Sequence, residues 1–116
     1  MTTEALITQA HGFGQTAADA LLVEATSLGA LLAQHAAAQP DALFLRYFDD
    51  DAGVTSDYSY AQFWDAVRRT AAALHARGLR EGDCVASLSH NHPLAAALLF
   101  AGWTIGLVVA PQNVAE

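Results

Sequence analysis

His90 and His92 are the side chains whose spacing first suggests metal chemistry. Two apart at a strand end, their rings would lie on one side of the chain. A closed zinc site takes four ligands, and no third ligand lies beside them in sequence. His90-Asn91-His92 therefore reads as a loop running into a helix cap. Cys84 could act as a nucleophile only with a depressed thiol pKa. It opens an apolar stretch, where free cysteine behaves as a small hydrophobe. Ser87 and Ser89 alternate with apolar residues and lie in no G-x-S-x-G elbow, so serine hydrolase chemistry has no support. Asp49-Asp50-Asp51 suggests calcium, yet the glycine and final glutamate of an EF-hand loop are not at their offsets. A solvated hairpin tip accounts for it. His35 and His75 stand alone on helix surfaces. Gly12-Phe13-Gly14 and the pair Gly102 and Gly106 make no phosphate cradle, since neither follows a strand and opens a helix.

One absence narrows the chemistry further. The basic residues are Arg46, Arg68, Arg69, Arg77 and Arg80, and there is no lysine. Phosphate-loop, Schiff-base and adenylation lysines are all missing from these residues. No catalytic, cofactor-binding or metal-ligating residue is assigned.

The composition bounds the setting. A chain of 116 residues is at most one domain. A hydrophobic content of 53% and a mean hydropathy of +0.25 exclude a disordered chain. Net charge −7 opposes nonspecific binding to nucleic acid or anionic lipid. Cys84 is the one cysteine, so no internal disulfide forms and a reducing cytoplasm is expected. Met1-Thr2-Thr3-Glu4 has no basic region followed by an apolar stretch, so it does not read as a secretory signal.

The elements that would position these residues follow from pattern. Residues 1–25 have weak periodicity, with His11-Gly12-Phe13-Gly14 as a breaker, and are expected to form a weakly ordered leader. Ser27 caps a helix over 28–39 with Leu28, Leu31, Leu32 and His35 or Ala36 on one face, stopped by Pro40. A hairpin is predicted within 43–58. Leu43, Leu45 and Tyr47 point to one side of its first arm, and Phe44, Arg46 and Phe48 to the other.

The best-determined element is a helix over 60–77. Ser59 and Gln62 form a capping-box pair, and Tyr60, Phe63, Trp64, Val67, Ala71 and Leu74 make the apolar face. Gly78 stands where a left-handed residue ends a helix. Strand 84–89, helix 93–104 and strand 107–110 then form a βαβ unit, with Asn91 and Pro93 marking the helix start. From Cys84 to Ala115 there is no charged residue. A membrane segment over Leu94 to Ala110 is the alternative. It is at the short limit for crossing a bilayer (~17–25 residues), is broken at Ile105-Gly106, and has no basic flank. A buried soluble element is the preferred reading.

The landmarks have an order as well as a chemistry. Ser59-Tyr60-Ala61-Gln62-Phe63 is followed by Leu74-His75-Ala76-Arg77-Gly78-Leu79, then Glu81-Gly82-Asp83-Cys84-Val85 and Asn91. The series ends in Gly106-Leu107-Val108-Val109-Ala110-Pro111-Gln112-Asn113. Together with Pro40-Asp41-Ala42, that order resembles the N-terminal part of the AMP-forming adenylating enzymes, which include acyl-CoA ligases, luciferases and peptide-synthetase adenylation domains. Ala110-Pro111-Gln112-Asn113 looks most like the acyl-CoA ligases and luciferases. Departures are Ser59 and Gln62, where the family commonly has Thr and Glu with the same capping chemistry, and Cys84, where Arg is usual.

The resemblance implies an α/β fold: an incomplete adenylating-enzyme N-terminal subdomain over 26–116, with a hairpin and a βαβ unit. It implies that a full-length relative uses ATP and magnesium to turn a carboxylate into an acyl-adenylate, then passes the acyl group to CoA. The family's phosphate loop, acidic ligands and C-terminal lysine match nothing here. The expectation is a scaffold segment of an acid-thiol ligase, cytoplasmic and not catalytic alone, whose partner is the remainder of the enzyme or a second copy. The alternative is a standalone interaction module.

Overall fold

The computed structural model describes residues 2–13, 27–112 and 114. Helix α1 spans Thr3–Phe13, with the Thr2 hydroxyl accepting from the Ala5 amide at 3.2 Å. The weak periodicity of these residues did not mark this helix. Gly12 does not break the helix, because one glycine costs only about 1 kcal/mol relative to alanine. The leader from 14 to 25, and Asn113 at the other end, lie outside the described residues.

Helix α2 (Leu28–Ala38) is capped by Ser27, whose hydroxyl accepts from the Ala30 amide at 3.1 Å. Leu32 and Ala36 are buried as the periodicity predicts, but Leu28 is half exposed and Gly29 is buried in its place. Strands β1 (Leu43–Asp49) and β2 (Val54–Ser59) pair antiparallel as the hairpin. At its tip the Asp49 carboxylate accepts from the Ala52 amide at 3.0 Å, and Gly53 takes a positive φ of 64°.

Strict alternation fails in β1. A bulge between Leu43 and Leu45 shifts the register, so Phe44 and Leu45 both pack against the core while Arg46 and Phe48 stay outside. An extra residue in one strand has this effect, since it re-aims the side chains on either side of it.

Helix α3 (Tyr60–Ala76) follows β2 directly. Its capping box is formed: Gln62 N donates to Ser59 Oγ at 3.2 Å, and Ser59 N donates to Gln62 Oε1 at 2.9 Å. Its end closes by paired bonds, Gly78 N to His75 O at 3.0 Å and Leu79 N to Leu74 O at 3.3 Å, with Gly78 at φ 92°. Strand β3 (Cys84–Leu88), helix α4 (Pro93–Thr104) and strand β4 (Val108–Gln112) make the parallel βαβ unit. The same end motif recurs after α4, where Leu107 N donates to Gly102 O at 2.8 Å and Gly106 N to Trp103 O at 3.3 Å. The apolar stretch from Leu94 to Ala110 is thus divided between a helix and a strand. No helix among the described residues is long and apolar enough to cross a membrane.

The core lies between α2, α3 and α4. Leu32, Phe63, Val67, Leu74, Ala97, Ala101 and Leu107 are all buried there, Phe63 and Val67 completely. Phe44 joins it from the hairpin, its ring 4.6 Å from Phe63 and 5.0 Å from Tyr60, and Phe63 meets Phe100 edge-on at 5.6 Å. Among the described residues the sheet of the βαβ unit is covered on one side only. Val85 and Val109 face α4, while Cys84, Leu88 and Val108 on the opposite face are exposed. Burial of this segment on both faces, expected from its composition, is not reached within the described residues.

Candidate functional site

Where β3 and β4 end, the chain opens into a cleft of about 390 Å³ between the hairpin and the start of α4. Its walls include Tyr47, Ser87, Ser89, His90, His92 and Gln112, with an apolar floor from Ala95, Ala96 and Leu99. The carboxyl ends of parallel strands are where open α/β sheets bind ligands, because the loops there diverge and leave a crevice. The chain's polar residues gather at this place for the same reason. The interiors of β3 and β4 carry small or apolar side chains, whereas the loop after β3 holds His90, Asn91 and His92.

The loop histidines do different things. His92 is the N-cap of α4: its Nδ1 accepts from the Leu94 amide at 3.1 Å, and its ring lies 5.3 Å from Tyr47, edge to face. That nitrogen is committed to the backbone. Asn91 lies one residue before the cap, and the helix begins at Pro93 as the sequence pattern predicts. The extended backbone at His92 (φ −154°, ψ 148°) and Pro93 at the first helical position fix the start. His90 is exposed, and its carbonyl accepts from the Ser89 hydroxyl at 2.7 Å. Among the described residues, no group of three or more His, Cys, Asp or Glu side chains is placed to hold a metal.

Arg46 is the charged member of the cleft wall, and it is occupied elsewhere. Its Nε and Nη2 donate to the two Asp57 oxygens at 2.7 and 2.8 Å. This fork, followed by the attraction of opposite charges, raises the Arg46 pKa above its ordinary value. The same hydrogen bond lowers that of Asp57. The other sequence candidates are scattered. Cys84 lies at the far end of β3 and is exposed. Asp49 serves the hairpin tip, and the other two members of the acidic run, Asp50 and Asp51, are exposed. The cleft itself was not visible in the sequence, because it forms only where the hairpin is placed against the start of α4.

What the arrangement offers is a shaped polar wall, with no cation free to neutralise a phosphate among the residues lining it. Comparison with known proteins gives the wall its context. The AMP-binding enzyme family matches residues 32–115. The chain belongs to the AMP-binding enzyme family. It is 36% identical over 80 residues to an indoleacetate–CoA ligase of Aromatoleum aromaticum, covering 69% of this chain and 14% of that protein.

Among solved structures, a fatty acid AMP ligase from Legionella pneumophila superposes with a TM-score of 0.73 at 19% identity, covering 78% of this chain and 15% of that one. The N-terminal subdomain of Klebsiella oxytoca NpsA gives 0.68 at 23% identity, covering 78% and 22%. These likenesses show the α/β fold of an adenylating-enzyme N-terminal subdomain. The chain spans well under a third of the length of each of these relatives.

Proposed function

We propose that this chain is the N-terminal scaffold segment of an AMP-forming acid–thiol ligase of the acyl-CoA synthetase kind, and that it has no ligase activity alone. The observation that carries this reading is the family match over a set of elements that holds no lysine. Acyl-adenylate formation develops charge on the transferring phosphates, and that charge needs a preorganised cation or amide cradle. ATP, magnesium and CoA are then requirements of a complete enzyme, with their cradle supplied by other residues. The segment's own contribution is structural. It holds α4, the hairpin and two parallel strands in place, so that the cleft at the strand ends keeps its shape. The setting that suits an exposed, unpaired Cys84 and these cosubstrates is the cytoplasm.

The test is pyrophosphate exchange into ATP by the purified chain, freed of host ligases, with magnesium and a panel of aliphatic and aromatic carboxylic acids. The expected result is no exchange with any acid. Exchange above the protein-free background would overturn the scaffold reading.

A further inference from the structure

The cap of α4 is a ring that can also take up a proton, and the two uses exclude each other. His92 Nδ1 accepts from the Leu94 amide at 3.1 Å. That nitrogen must keep its lone pair, so the neutral ring carries its proton on Nε2. A second proton makes both ring nitrogens donors. The Leu94 amide then faces a donor where it had an acceptor, and the new charge stands at the positive end of the helix dipole. Both effects oppose the cap.

The surroundings of the ring do not offset such a charge. Tyr47 of β1 meets it at 5.3 Å with an uncharged phenol. Arg46, on the same strand and in the same cleft wall, is a cation whose fork is closed on Asp57. His90, exposed in the loop before the cap, can add only positive charge. The first turn of α4 holds no acidic residue, and the residues that line the cleft include no carboxylate. Ser87 of β3 and Gln112 of β4, which complete the wall, are not acids or bases.

We propose that His92 is a pH-sensitive cap, which holds the start of α4 while its imidazole is neutral and releases it when the ring is protonated. The first turn of α4 supplies Pro93, Ala95 and Ala96 to the cleft, so its fraying changes the shape of that wall. The rest of α4 stays in place, because Ala97 and Ala101 are buried in the core. Because the bond needs the unprotonated ring, its stabilisation is present at the alkaline end of the range over which imidazoles titrate. It is lost as pH falls through that range. The cleft is therefore firm at mildly alkaline pH and loosened in mild acid.

Two measurements on the purified chain test this. Long-range proton–nitrogen correlation NMR at about pH 8, where imidazoles are neutral, should show His92 with a bare Nδ1 and a protonated Nε2. Urea midpoints are then followed for the unaltered chain, His92→Ser and His92→Phe, from about pH 8 down to about pH 5.5. The lower limit stays above the isoelectric point of about 4.9. Serine caps a helix without titrating, whereas phenylalanine keeps a ring against Tyr47 and cannot accept a bond. Relative to His92→Ser, the unaltered chain should lose about fivefold in its folding equilibrium constant across this range, the factor that belongs to one N-cap bond. Relative to His92→Phe, it should begin with about a fivefold advantage and end with none. Only the change with pH is read, so the constant effect of losing the Tyr47 contact in His92→Ser does not enter.

A proton on Nδ1 at alkaline pH would overturn the proposal. So would a midpoint profile that runs parallel to that of His92→Ser or, should that variant not fold, to that of His92→Phe. None of these results bears on pyrophosphate exchange, so the scaffold reading stands or falls separately.

Discussion

Gly29 of α2 and Thr104 of α4 are packed so closely that no side chain fits between them. A Cβ at Gly29 would overlap the Thr104 hydroxyl and lie 3.1 Å from its Cα. The hydroxyl cannot swing aside freely, since it donates to the Phe100 carbonyl at 2.6 Å. Gly29→Ala gains about 1 kcal/mol in helix propensity. It should nevertheless lose stability by about 1 kcal/mol net, because overpacking against backbone costs about 1–3 kcal/mol. Thermal unfolding checks this, and Thr104→Ala in the same background should recover part of the loss. A stabilised Gly29→Ala chain would show that the two helices do not meet this closely.

Ser59→Ala should destabilise the chain by about 1 kcal/mol, the usual cost of losing an N-cap oxygen. Two bonds go together here. The Gln62 amide loses its acceptor, and the returning Gln62 side chain loses the fixed turn that aims it at the Ser59 amide. Ser59→Thr should retain most of the stability, and denaturant midpoints at constant m-value distinguish the two outcomes.

That capping box was legible in the sequence because each partner is three residues from the other, and the geometry is set by the chain itself. So were the left-handed Gly78 and the division of the uncharged run at Gly106. The misread features depend on distant neighbours. The bulge in β1 is a matter of pairing with β2, and Gly29 rather than Leu28 is buried because α4 crosses there. The start of α4 at Pro93 was legible as well, because proline is favoured at the first position of a helix. The cleft required all of these placements at once.

The bulge separates two phenylalanines that strict alternation would treat alike. Phe44 packs on Tyr60, Phe63 and Phe100, with ring centroids 5.0, 4.6 and 6.1 Å away. Phe48 is 64% exposed. Phe44→Ala should cost about 2–3 kcal/mol, less than the full core value because the ring is only half-buried. Phe48→Ala should stay within about 0.5 kcal/mol of the unaltered chain. Equal effects in urea unfolding would mean that β1 runs without its bulge in solution.

Across the hairpin, Arg46 and Asp57 stand opposite each other in register and close a two-pronged ion pair, each side chain about half exposed. The Arg46 hydrogen bond holds the Asp57 carboxyl below the ordinary carboxylate value, with their opposite charges adding and partial burial opposing. The folded-state pKa is therefore lower than the unfolded one. The pair's stabilisation is fully present above the ordinary carboxylate pKa, and is lost as pH falls through the lowered folded value. At neutral pH, Arg46→Gln should change stability little, as exposed pairs generally do. In acid the difference should appear as a displacement of the Asp57 titration, followed by NMR at its side-chain carboxyl carbon, up toward the ordinary carboxylate midpoint. High salt should shrink that displacement by screening the charge-charge part, leaving the part due to the directed hydrogen bond. A midpoint that does not move on substitution would show that the fork does not persist in solution.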